Sequence, residues 1–401
     1  MIFLEGVRLK TLIVIDNLHI GGVASSMYNY LQHASEYMDC SVLVFNENTI
    51  DYSQLPDRVT VLKTPKILHL LGSTKQELIH ESKWMALLKG LLIALCKISN
   101  GEFARKFFWP LVRKIGEYDL AIAYAQDNGW KSISKGCGDF VLKKVTANVK
   151  AVVIHCDYRD FGGYSPKQEK TFSKFDHILC VSESCRLRFH SCFPTLSDRT
   201  LACENFIDIE KIRSMSEPAI RYPADKVNFV SVCRLSVVKG LERTVRVFKN
   251  LYEQGYSNFT WTIVGDGPEY GHLTTQVKTL GLQDDIIFVG NKNNPFPYVK
   301  NADVFLLPSI HDAAPMVYGE CAVLGVPVLT TETCSANELV RDRCIGRVVE
   351  NSEQGLTSGI KDILDMKTDL KHYAIADEKI NRNAADQFQH FLSMINDKLN
   401  I

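Results

Sequence analysis

Residues 228–252 run NFVSVCRLSVVKGLERTVRVFKNLY, and residues 260–268 follow with TWTIVGDGP. Asn228–Cys233 is a mainly apolar run without regular polar alternation, as a strand covered on both faces requires. After a short turn a helical spacing begins, with Leu241, Val245, Phe248 and Tyr252 as its apolar face. A second strand, Thr260–Val264, completes a strand–helix–strand unit, the building block of a parallel sheet.

The same rhythm extends both ways. Downstream, Ile286–Val289, Val304–Leu307, Val328–Thr330 and Arg347–Val349 have strand character. Upstream lie Thr11–Ile15, Ser41–Phe45, Val59–Leu62, Leu120–Ala123, Ala151–His155, His177–Val181 and Leu201–Glu204. Between the two sets, Ile207–Asp225 is polar, carries Pro218 and Pro223, and offers no strand. The pattern predicts an α/β protein of two doubly wound parallel-sheet domains facing a cleft, over residues 1–206 and 207–380. Residues 381–401 place Ala384, Phe388, Phe391, Leu392, Ile395 and Leu399 at helical spacing, which predicts a terminal helix packed back on the first domain.

A chain of 401 residues exceeds what one core supports, in agreement with two domains. Its composition, 46% hydrophobic and 23% charged, is that of a globular protein rather than a disordered one. The 46 basic and 46 acidic residues balance, so net charge gives no reason to expect a nucleic-acid partner. That balance hides a partition: the first 200 residues are basic and the remainder acidic, by five charges each. The twelve cysteines are scattered from Cys40 to Cys344 without metal-site spacing, and read as buried free thiols in a reducing cytosol. Glu5, Arg8 and Lys10 interrupt any leader-like run, and the most apolar stretch, Trp84–Ile98, is broken by Lys89 and Lys97. A cytoplasmic protein that crosses no membrane is the expectation.

Ligands of doubly wound sheets bind outside the carboxyl ends of strands, so residues following strands carry the functional reading. Gly21 and Gly22 follow the first strand and open a helix, which suits close approach to an anion or a tight turn alone. Lys239, placed at the first turn of a helix, opposes the helix dipole and makes sense beside an anion. Arg234 adds a second donor suited to a diphosphate. Gly265 and Gly267 form a glycine-rich turn before a helix, while Asp284-Asp285 precedes a strand and reads as a solvated loop. The segment from Leu307 to Ala322 leaves a strand and enters a helix with Pro315 near its first position. Asp312 in that loop and Glu320 within the helix can engage different hydroxyls of one extended ligand. His155 closes its strand toward the cleft; with Asp157 and Asp160 it also permits a metal site, though no further ligand pattern accompanies them.

In order along the chain stand G-G-V at Gly21–Val23, His155, V-S-E-S at Val181–Ser184, E-N-F-I-D at Glu204–Asp208, and R-L-x-x-x-K-G at Arg234–Gly240. V-G-D-G-P at Val264–Pro268, the acidic pair ending in Glu320, and G-V-P at Gly325–Pro327 complete the set. Together they resemble the family 4 glycosyltransferases, retaining enzymes of the GT-B fold. The resemblance implies that Arg234 and Lys239 hold the donor diphosphate, with the Gly265–Gly267 turn also beside the donor. Glu320 would bind the ribose hydroxyls, and Asp312 with the backbone of Ala313, Ala314 and Pro315 the sugar. Gly21 and Gly22 would close on the phosphates, and His155 would lie beside the reacting carbon. It implies no protein nucleophile, no cofactor and no catalytic metal. UDP-sugar is favoured over GDP-sugar as donor, and domain closure would turn on Ile207–Asp225.

The family usually has Glu where this chain has Asp312, then Gly and a bulky residue in place of Ala313 and Ala314. A sugar-nucleotide epimerase of similar fold, or a noncatalytic sugar-nucleotide-binding scaffold, are the alternatives. The acceptor is expected on the first domain. There Lys83–Lys89 and 103–114 mix cations with aromatic and aliphatic residues, as in helices that lie on anionic membranes or in a core helix beside a basic face. A glycan or polyprenyl-linked acceptor of cell-surface polysaccharide assembly fits that membrane reading.

Overall fold

The computed structural model describes residues 8–99, 108–126, 135–161, 164–217, 220–365 and 377–400. The chain divides into two compact units, residues 1–206 with 384–401 and residues 207–383.

The first unit holds a seven-stranded sheet: β1 (Leu9–Ile15), β2 (Met38–Val44), β3 (Thr60–Val61), β4 (Ile115–Ala123), β5 (Val145–Ile154), β6 (His177–Cys180) and β7 (Thr200–Ala202). Its order is β3-β2-β1-β4-β5-β6-β7, with every pairing parallel. The second unit holds β8 (Val227–Val232), β9 (Phe259–Val264), β10 (Ile286–Gly290), β11 (Val304–Leu307), β12 (Val328–Thr331) and β13 (Gly346–Val349), in the order β10-β9-β8-β11-β12-β13, again all parallel. All thirteen strands expected from the sequence form, with most ends displaced by one to three residues and with β4 and β5 beginning well upstream, at Ile115 and Val145. Each sheet reverses its winding direction beside its first strand, between β1 and β4 and between β8 and β11. That reversal opens a crevice at the carboxyl ends of those two strands.

In the second unit β9 is buried throughout and packs Phe259 and Trp261 against Phe248 of the helix Leu241–Glu253. The Trp261 indole donates to Ser231 Oγ at 2.8 Å, and that hydroxyl donates to the Leu306 carbonyl. The polar edge of the largest core residue is thereby satisfied within the sheet. Leu251, rather than the expected Tyr252, completes the buried face of this helix; Tyr252 is exposed. Asp285 also departs from expectation: it is buried, pairs with Lys226 at 2.6 Å, and its carbonyl accepts the Trp261 N–H.

The terminal helix, Arg382–Leu399, buries Ala384, Phe388, Phe391, Leu392 and Ile395. Phe388 meets Tyr30, His33 and Phe206 edge-on, Phe391 meets His177, and Gln387 accepts the Glu204 N–H at 2.8 Å. Chain residues far apart in sequence thus complete one core in the first unit. All twelve cysteines are free and most are buried, with Cys344 alone exposed. No helix among the described residues is long and apolar enough to cross a membrane.

Candidate functional site

The second unit concentrates the charged candidates at its switch point. β8 leads into the loop Cys233–Ser236, a short 3-10 turn Val237–Lys239, and then the helix from Leu241. Lys239 therefore precedes the helix rather than occupying its first turn, because Gly240 takes a left-handed conformation (φ 67°) between them. β11 leads into Pro308–Pro315 and the helix Met316–Leu324. Because β8 and β11 are neighbours, Lys239 and Asp312, 73 positions apart, meet: Lys239 Nζ lies 2.5 Å from Asp312 Oδ2. Ser309 Oγ donates to the same carboxylate oxygen at 3.0 Å. The cation expected on a diphosphate and the carboxylate expected on a sugar are thus each other's partner. Arg234 is exposed and has no ion-pair partner among the described residues.

The two loops are locked together by backbone contact and by two residues the motifs did not single out. A Cβ on Gly240 would sit 2.1 Å from the Pro308 carbonyl oxygen, so no larger residue fits without displacing one loop from the other. The Arg243 guanidinium donates to the Pro308 carbonyl at 2.9 Å and to Asn351 Oδ1 at 2.6 Å, while Asn351 Nδ2 donates to the Ile310 carbonyl at 2.9 Å. Arg243 reads in sequence as one more surface cation of an amphipathic helix, and only the fold shows it beneath the loop. Gly265 and Gly267 serve the same packing: their Cβ atoms would fall 1.9 Å from the Cys233 carbonyl oxygen and 2.3 Å from that of Leu235. This close approach by itself accounts for glycine at both positions.

Pro315 stands immediately before the helix Met316–Leu324, whose first-turn amides have no intrahelical acceptor. Glu320 lies in the second turn, partly exposed yet surrounded by protein. Burial raises its carboxyl from 4.5 to about 7, against a smaller opposing pull from Lys211. It is poised to gain from hydroxyl donors, which stabilise the ionised form.

In the first unit, Gly21 precedes the helix Gly22–Ala34, whose N-terminus has no side-chain cap and no acidic residue in its first turn. Gly21 has nothing nearer than 3.9 Å where a Cβ would stand, so open space rather than packing surrounds it. His155 follows β5; its ring Nε2 lies 2.9 Å from the Tyr124 carbonyl, and its backbone N–H donates to Gln126 Oε1 at 3.0 Å. Burial lowers the imidazole to about 4, so it is neutral at pH 7. A carbonyl can only accept, which places the proton on Nε2 and leaves Nδ1 as an acceptor for a hydroxyl. The Tyr124 hydroxyl meets Ser26 Oγ at 2.9 Å, and Ser26 Oγ donates to Asn205 at 2.5 Å. Asn205, the second residue of E-N-F-I-D, thereby helps hold the helix that follows Gly21.

Asp157 does not offer a free ligand beside His155. Its carboxylate pairs with the Arg188 guanidinium and accepts the N–H groups of Arg159 and Asp160. Among the described residues no group of three or more His, Cys, Asp or Glu is placed to hold a metal ion.

Residues 216–385 match the family model for glycosyl transferases group 1. The chain is 23% identical over 300 residues to an uncharacterized glycosyltransferase of Methanocaldococcus jannaschii, covering 73% of this chain and 64% of that protein. It is 29% identical over 219 residues to the putative colanic acid biosynthesis glycosyltransferase WcaL of Escherichia coli, covering 51% of this chain and 52% of that one. The matched stretches thus span between about half and two-thirds of these relatives. Among solved structures, Anabaena HepE in complex with UDP superposes with TM-score 0.60 at 16% identity, covering 98% of both chains. An Escherichia coli trehalose-6-phosphate structure bound with UDP-2-fluoro glucose gives 0.64 at 14%, covering 96% and 98%. The fold class is therefore GT-B, and the family match falls almost wholly within the second unit.

Proposed function

We propose that this protein is a retaining glycosyltransferase that moves a sugar from a nucleoside diphosphate, UDP favoured, to a glycan or lipid-linked acceptor in cell-surface polysaccharide assembly. The observation that carries the reading is the meeting of Lys239, Asp312 and Ser309 at the β8/β11 switch point. It lies within the stretch that matches the glycosyl transferases group 1 model. The UDP bound to HepE and the putative role of WcaL in colanic acid biosynthesis support the donor and the pathway class.

In this reading the donor diphosphate replaces Asp312 as the counter-ion of Lys239 and takes Arg234 as its second cation. Charge grows on the leaving phosphate as its bond to the sugar anomeric carbon breaks, and these two cations meet it without a catalytic metal. The acceptor hydroxyl bonds to that carbon from the face the phosphate leaves, and its proton passes to a phosphate oxygen, so no protein nucleophile is needed. Asp312, released from Lys239, accepts from sugar hydroxyls, and Glu320 accepts from the ribose. Neutral His155 positions a hydroxyl through Nδ1 and does not act as an acid.

The test is a thermal-shift and product screen across UDP- and GDP-sugars. UDP should raise the melting temperature of the wild type, and Lys239→Ala should abolish that rise. A product requiring an acceptor supports transfer, and a free isomerised sugar without acceptor means an epimerase. Binding with neither transfer nor hydrolysis across the panel means a scaffold.

A further inference from the structure

The helix Lys83–Ser99 is built inside out. Its inward face buries Ala86, Lys89 and Cys96, and the Lys89 ammonium, expected from the sequence to face a membrane, instead donates to the Ser73 carbonyl. Its outward face carries Trp84, 79% exposed, with Leu87 at 65%, Leu88 at 42% and Leu91 at 58%. These stand at i, i+3, i+4 and i+7, a single apolar stripe along one side of the helix. A helix bordered only by water places such residues inward and its lysine outward.

The charges around the stripe are equally one-sided. The carboxylates of the preceding helix, Lys75–Glu81, are engaged within the unit: Glu77 pairs with His19 and caps Thr74, and Glu81 pairs with His69. Lys75, His80 and Lys83 are exposed and have no ion-pair partner among the described residues; Ile79, also exposed, lies between them. An exposed apolar stripe that begins beside Lys83, with tryptophan near one end and the exposed Lys75 on the preceding helix, is complementary to a bilayer whose headgroups are anionic. A second copy of the chain would bring the same cations against themselves. Of the other basic residues of the 103–114 stretch, Arg113 and Lys114 are exposed, and Arg105 and Lys106 lie outside the described residues.

We propose that the helix Lys83–Ser99 docks the protein on an anionic lipid surface. Trp84, Leu87, Leu88 and Leu91 enter the boundary between headgroups and acyl chains, and Lys75 and Lys83 meet the phosphates. This identifies a lipid-binding surface whatever the reaction, and its test uses neither donor nor acceptor. The full chain is floated with phosphatidylglycerol–phosphatidylcholine vesicles, beside Trp84→Ser/Leu87→Ser/Leu91→Ser and Lys75→Glu/Lys83→Glu variants whose melting is checked against the wild type. The wild type should float, and the triple variant should lose about tenfold of that binding, since each side chain removed is apolar area taken from the boundary. The charge variant should bind less and lose its salt dependence, and lipids brominated along the chain should quench Trp84 fluorescence in the wild type beyond that in Trp84→Phe. Wild-type failure to float overturns the proposal, as does flotation unchanged in the triple variant. So does a concentration-dependent dimer that the triple substitution dissolves, which would assign the stripe to a second copy.

Discussion

Replacing Glu320 with glutamine should make the second unit more stable in mildly alkaline buffer while weakening its hold on a nucleotide. Glutamine keeps the shape of the side chain and removes only the charge. Burial holds the folded carboxyl at about 7 against 4.5 when unconstrained. The protonated form is therefore favoured in the folded state, and the glutamate imposes no penalty below about pH 4.5. Its cost grows as the pH rises toward 7 and is constant above, because only then is the carboxylate ionised in both states. The two values correspond to a ceiling of about 3 kcal/mol. Glu320 keeps some exposure, and relaxation screens part of the charge, so on the order of 1 kcal/mol should be measurable. For a unit of this size that is about 2–4 °C in melting temperature. Paired calorimetric melts at pH 4.5 and pH 8.5 check it: Glu320→Gln should match the wild type at the lower pH and exceed it at the higher. The stabilisation by saturating UDP should shrink in the variant, because ribose hydroxyls lose an ionised acceptor. A melting difference that is the same at both pH values would refute the reasoning.

Gly240→Ala should cost about 2 kcal/mol or more, through both its left-handed backbone and the clash with the Pro308 carbonyl, and should lower UDP affinity; urea titration with and without UDP measures the two effects. Arg243→Ala should raise the KM for the donor more than it lowers kcat, since Arg243 holds the 308–312 loop without reaching the site itself; a kcat loss with KM unchanged would contradict that role. Phe388→Ala removes a fully buried ring and should destabilise the first unit by about 3–5 kcal/mol, read as an earlier unfolding transition in urea. His155 should stay neutral from pH 8 to pH 5, with its ring nitrogen shifts flat over that range, and should charge only as the pH falls toward about 4.

The alternation of strand-length and helix-length apolar runs determined the α/β class and signalled all thirteen strands, most plainly β9 and β11, because a strand buried on both faces leaves a continuous apolar run in the sequence. The terminal helix was legible for a related reason: Phe388 and Phe391 fall at a spacing that only one helix face accommodates. Tertiary structure decided which charges meet. Lys239 and Asp312 stand on loops after β8 and β11, and no periodicity shows that these strands are neighbours, since sheet order is set by crossover packing between distant segments. The same holds for Asp285, which a doublet of aspartates places in water and the fold places against Lys226. It holds for Lys89 too, a charge in an apolar run that composition assigns to the surface and the neighbouring Ser73 carbonyl draws inward. Local sequence fixes what each segment is. Which of its faces turns inward, and what it finds there, depends on contacts made across the whole chain.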